Sequence, residues 1–157
     1  MSNPPPDWFP DPTHRRATRL LGAALALAVF AAAMWFAWLG WDDEYYYVDG
    51  FAQGPYRAWQ VVGCGLAIAT AAVLAYLWVR QLAAIFVLAA AADIGFAVPW
   101  AAYASTTDDS GLWVVGLVFL SVGSGVGLVV LLALTDAVVQ ARRSKSPRPR
   151  ATRTQPH

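Results

Sequence analysis

Four blocks of apolar residues, each close to twenty long, leave this chain few folds to choose from. An α-helix rises about 1.5 Å per residue, so about 20 apolar residues cross the hydrocarbon core of a bilayer. The blocks lie at 20–40, 58–79, 82–103 and about 112–135, and the composition of the last allows helix to continue to residue 140. Lipid offers no partner for backbone N–H and C=O groups, so each block must satisfy them internally, as a helix does. Within these blocks the only charged residue is Asp93.

Only Arg80 and Gln81 interrupt the apolar pattern between the second and third blocks. A single helix over 66–104 would be about 58 Å long, nearly twice the hydrocarbon thickness. A turn near Arg80 is therefore expected, although no Gly or Pro marks it. The expected fold class is all-α: an antiparallel, up-down-up-down four-helix transmembrane bundle over 20–141. A flexible N-terminal segment at 1–19 precedes it, and a basic, disordered tail at 142–157 follows.

Charge orients the bundle through the positive-inside bias. Arg15, Arg16 and Arg19 precede the first span, Arg80 sits in the second turn, and Arg142, Arg143, Lys145, Arg148, Arg150 and Arg153 fill the tail. Asp42, Asp43, Glu44, Asp49, Asp108 and Asp109 occupy the two opposite loops, against one base, Arg57. An even number of spans with both termini in the cytoplasm satisfies this pattern, so the expected location is the plasma (inner) membrane. Indoles favour the membrane–water interface. Trp38, Trp41, Trp59, Trp100 and Trp113 all fall at the outer boundary and Trp78 at the inner one. The first block is longer than a signal-peptide core and runs into Trp35, Phe36 and Trp38 rather than a small-residue cleavage site, so it reads as an uncleaved helix.

Two stretches carry a resemblance. Asp7-Trp8-Phe9-Pro10-Asp11-Pro12 resembles the Trp-aromatic-Pro-Asp-Pro opening of a short domain found near the N-termini of actinobacterial membrane proteins, without the Trp-Asp-Gly stretch that normally follows. The outer loop and Gly54-Pro55-Tyr56-Arg57-Ala58-Trp59-Gln60-Val61-Val62-Gly63-Cys64 resemble uncharacterised small four-span proteins of actinobacteria. The resemblance implies a membrane location and brings no activity with it.

The outer loop is itself distinctive. Asp42, Asp43, Glu44, Tyr45, Tyr46 and Tyr47 form an acidic, aromatic candidate interaction patch. Asp49-Gly50 suits a type I′ turn, so a short hairpin is expected there. The plainer reading is an interfacial collar of tyrosines flanked by solvating acids. At the other face, Arg142, Arg143 and Lys145 are placed to contact lipid headgroups, each base contributing about 1 kcal/mol near an anionic surface.

Helices associate in lipid through close packing and interhelical hydrogen bonds. Small residues recur at Ala24, Ala28 and Ala32 in the first span, and at Gly63, Ala67, Ala71 and Ala75 in the second. The fourth has Gly116, Gly123 and Gly127, with Ser124 and Gly125 beside them. Such faces suit a compact bundle, a protein partner or a homo-oligomer. Asp93 lies mid-span, where a charged carboxylate costs about 3 kcal/mol or more, so it must be neutral, paired or solvated. Thr70, Ser121 and Ser124 lie at a similar depth. Pro99 removes the helical donor to the Gly95 carbonyl, which predicts a kink. These residues describe a polar midplane layer, read either as an interhelical lock or as a proton or substrate site. Four-helix multidrug exporters depend on an acid in the first helix, and here that helix has none.

Enzyme readings lack their residues. His14 and His157 both lie outside the spans, Cys64 is the only cysteine, and no nucleophile set, metal spacing or phosphate loop can be assembled. No cofactor is implied, and the basic tail alone does not make a nucleic-acid site. The sequence therefore points to a non-catalytic accessory or interaction subunit, with a small proton-linked transporter or channel using Asp93 as the alternative.

Overall fold

The computed structural model describes residues 12–40, 46–48, 51–53, 57–108 and 110–144. Four helices account for most of them: α1 Pro12–Trp38, α2 Ala58–Val79, α3 Leu82–Thr107 and α4 Trp113–Ser144. All four are long and apolar enough to cross a bilayer. The fold class is the expected all-α transmembrane bundle. A small antiparallel hairpin lies between α1 and α2, with β1 Tyr46–Val48 paired to β2 Phe51–Gln53 and Val48 opposite Phe51. Its register straddles Asp49-Gly50, as the turn chemistry predicts.

Three helices are longer than their apolar blocks, α3 by one turn to Thr107. α1 begins at Pro12, a residue whose fixed φ and missing N–H suit a first helical position. α4 runs on to Ser144, so at about 48 Å it outreaches the hydrocarbon by several turns. The turn between α2 and α3 is only Arg80 and Gln81. Arg80 makes it by adopting the left-handed conformation (φ 51°, ψ 52°), its N–H donating to the Tyr76 carbonyl at 2.8 Å. Glycine usually occupies this position because a side chain there costs about 1–2 kcal/mol. That is why the turn left no mark in the sequence.

The packing is asymmetric. α3 touches all three other helices; α1 packs on α2 and α3, and α4 on α2 and α3, with no α1–α4 contact among the described residues. The core is built at i+4 spacing from Ala23, Leu27, Ala31 and Trp35 of α1 and from Gln60, Cys64, Ile68, Ala72 and Tyr76 of α2. Ala84, Leu88 and Ala92 join from α3. α4 contributes Leu132 alone.

Small residues matter most where α1 crosses α3. A methyl group placed on Gly95 would lie 2.3 Å from the Ala28 carbonyl oxygen and 2.7 Å from its Cα, so the two backbones meet there with no room for a side chain. The Gly63 face of α2 turns toward α1, and the Trp38 ring lies directly on Gly63. At one end of the bundle an aromatic clasp ties the helices together. Trp38 meets Trp59 edge-on at 6.0 Å, Trp35 meets Tyr103 at 5.7 Å, and Trp100 covers Gly116.

Candidate functional site

Because α4 leans on one side of the bundle, its middle stands away from α2 and leaves a cleft of about 350 Å³ floored by α3. Gly65, Ile68 and Ala69 line one wall, Leu120, Gly127 and Leu131 the other, and Ala92, Asp93 and Phe96 the floor. Gly65 and Gly127 have open space where a side chain would be. The cleft is apolar except at one point.

That point is the Asp93 carboxyl, which is hydrogen-bonded through Oδ1 to Ser124 Oγ across the α3–α4 seam. Both residues are half-buried and border the cleft. Ser124 Oγ also lies 2.7 Å from the Leu120 carbonyl of its own helix. The Ser124 hydroxyl is shared between the Asp93 carboxyl of α3 and the Leu120 carbonyl of its own helix, as a three-centre donor can be. The pair links α3 to α4.

The other residues expected in this layer lie elsewhere. Thr70 is exposed on α2, where its hydroxyl donates to the Leu66 carbonyl one turn back at 2.7 Å. Ser121 is half-buried one turn before Ser124 and does not border the cleft. Gly95 belongs to the α1–α3 crossing, and α3 remains helical through Pro99 to Thr107. The midplane layer is thus one carboxyl–hydroxyl pair.

Two further contacts hold α4, and neither was singled out in the sequence. Toward the Arg80 end, the buried Tyr76 faces Asp136 across the α2–α4 seam, and Asp136 Oδ2 accepts from Gln140 Nε2 at 2.6 Å. At the other end Asp108 prepares the start of α4. Its Oδ1 accepts from the Ser110 N–H (2.8 Å) and the Ser110 hydroxyl, and its Oδ2 accepts from the Trp113 N–H (2.8 Å). The Ser110 hydroxyl, followed by these backbone donors, holds the Asp108 carboxyl below the ordinary carboxylate range. Both contacts pair residues on different helices or flank a loop, so only Asp108, near the start of an apolar block, left a readable capping signal.

Of the outer-loop patch, Asp42, Asp43, Glu44 and Tyr45 lie outside the described residues. Tyr46 and Tyr47 are placed only as backbone of β1. Arg142 and Arg143 lie in the last turn of α4, exposed, while Lys145 lies outside the described residues. No family model, curated protein or solved structure matches the chain.

Proposed function

We propose that this is a non-catalytic, multi-pass accessory protein of a bacterial plasma membrane, both termini cytoplasmic, whose α2–α4 cleft receives a transmembrane helix of a partner protein. The observation that carries this reading is the half-buried Asp93–Ser124 pair on a lipid-facing cleft walled by Gly65 and Gly127. A polar pair open to hydrocarbon is costly, and a helix seated in the cleft would cover it. Glycine costs about 1 kcal/mol relative to alanine inside a helix, and in lipid its use is to let another backbone approach closely. Gly95 already serves that purpose within the bundle, against the Ala28 backbone, while Gly63 and Gly116 make room for the Trp38 and Trp100 rings. Gly65, Gly123 and Gly127 face open space instead.

Filling the cleft tests this. Wild-type protein extracted with its native lipid in polymer discs should travel in a complex larger than the 16.9 kDa chain, and Gly127→Leu should release the monomer with unchanged helix content. A complex of the same size in both proteins would remove the cleft from the interaction.

The same pair favours a second reading, in which the cleft is a substrate or proton site of a small transporter or channel. That reading requires proton or solute flux into liposomes carrying the purified protein, abolished by Asp93→Asn while the fold is kept. The accessory reading predicts flux equal to that of empty liposomes.

A further inference from the structure

A second cavity, of about 330 Å³, lies where α2 turns into α3 beside the end of α4, and unlike the cleft it is polar. Tyr76, Arg80, Asp136, Gln140 and Arg143 line it. The left-handed turn at Arg80 brings a guanidinium to the end of α2, where its Nε donates to the Leu77 carbonyl at 2.8 Å. Four N–H donors remain on the terminal nitrogens of that guanidinium. Arg143 comes from the opposite wall, from the part of α4 that extends past the hydrocarbon. Asp136 already accepts from the Gln140 amide of its own helix at 2.6 Å and lies beside the buried Tyr76. Two arginines against one carboxylate leave the cavity with one net positive charge.

Depth and surroundings narrow the ligand. α2 is about 33 Å long, close to the hydrocarbon thickness, so Arg80 at its end stands at headgroup level. On the other side of Leu77 and Val139, which border both spaces, runs an apolar groove of about 360 Å³ walled by Leu131, Leu134 and Val138, with Arg142 at its mouth. A cationic cavity at headgroup level beside an apolar groove is the arrangement that holds a phosphate and its acyl chain together. We propose that this cavity binds the headgroup phosphate of an acidic phospholipid, with Arg80 and Arg143 as its ligating cations and the acyl chain against the Leu131–Val138 groove. Guanidinium suits this role because its fork of N–H donors matches phosphate oxygens. The site lies apart from the α2–α4 cleft and does not depend on the accessory reading.

The test uses the full chain in phosphatidylcholine nanodiscs, titrated with spin-labelled phosphatidylglycerol, and reads the motionally restricted fraction. Wild type should hold phosphatidylglycerol selectively and saturably. Each arginine removed should weaken binding about tenfold, and the pair Arg80→Gln/Arg143→Gln about 100-fold, as loss of one charge-assisted contact each would. The charge-matched pair Arg15→Gln/Arg19→Gln, at exposed positions on α1, should change it less than twofold. Circular dichroism checks that helix content is retained; if the double variant loses helix, the single variants carry the test. An equal loss in the α1 control would overturn the proposal, because charge at the surface would then suffice. So would absent selectivity over phosphatidylcholine. Displacement of the lipid by millimolar inorganic phosphate would also overturn it, by assigning the cavity to the free ion.

Discussion

Replacing Gly95 by alanine should destabilise this protein, although alanine is the better helix former. The added methyl would stand 2.3, 2.7 and 2.8 Å from three backbone atoms of Ala28, and a helix backbone cannot swing aside as a side-chain tip can. Ordinary contact requires carbon–carbon separations of about 3.5–4 Å, so α1 and α3 must part by about 1 Å. A gap of that size forfeits a quarter to a half of the dispersion energy of the contacts it opens. Overpacking of this kind costs about 1–3 kcal/mol, set against a propensity gain of about 1 kcal/mol from Gly to Ala. We expect a net loss of up to about 2 kcal/mol, and a larger one for Gly95→Val. Gly123 supplies the opposite case, because nothing lies within 4 Å of a methyl placed there. Gly123→Ala should be neutral or stabilising by up to about 1 kcal/mol in dilute bicelles. Reversible unfolding of the reconstituted monomer by steric trapping reads both. Equal stability of the two variants would refute the claim that Gly95 sets the α1–α3 distance.

Other consequences follow from the contacts that hold α4. A double-mutant cycle on Asp93→Ala and Ser124→Ala should give a coupling of about 0.6 kcal/mol, up to about 1.7, as interhelical polar pairs in membranes do; zero coupling would dissolve the bridge. Asp93→Asn keeps an oxygen acceptor for the Ser124 hydroxyl and should cost less than Asp93→Ala. At Asp108 the native state favours the ionised carboxyl, so its contribution is fully present above the ordinary value of 3.8 and is lost as pH falls through the lowered native value. Protection of the Trp113 amide, taken relative to its intrinsic exchange rate, should therefore fall below that value and in Asp108→Ala at neutral pH, and an Asp108 carboxyl titrating at or above 3.8 would contradict the capping role.

Much of the fold was legible because lipid restricts it so strongly. Block length gave the four helices, and Asp49-Gly50 gave the hairpin register. The Asp93–Ser124 pair was visible as two polar residues at one depth, whereas Thr70, at the same depth, turned out to bond its own helix. Depth along a helix is readable from sequence; the direction a residue faces is not, because apolar residues surround every span. The same ambiguity hid a further role of Gly95, which is the crossing point of α1 and α3. Arg80 shows the other limit: a left-handed arginine breaks the turn preference that a reader of sequences relies on. Nor could the blocks alone show that α4 would pack on one side only, leaving the cleft.

The cleft itself is best tested by a photo-crosslinking residue at Gly127 in native membranes, with Leu21, exposed on α1, as the control position. The account predicts one discrete protein adduct from Gly127, absent from Leu21 and suppressed when Gly65→Leu fills the facing wall. Lipid adducts alone from Gly127, or the same protein adducts from both positions, would contradict a helix-binding cleft.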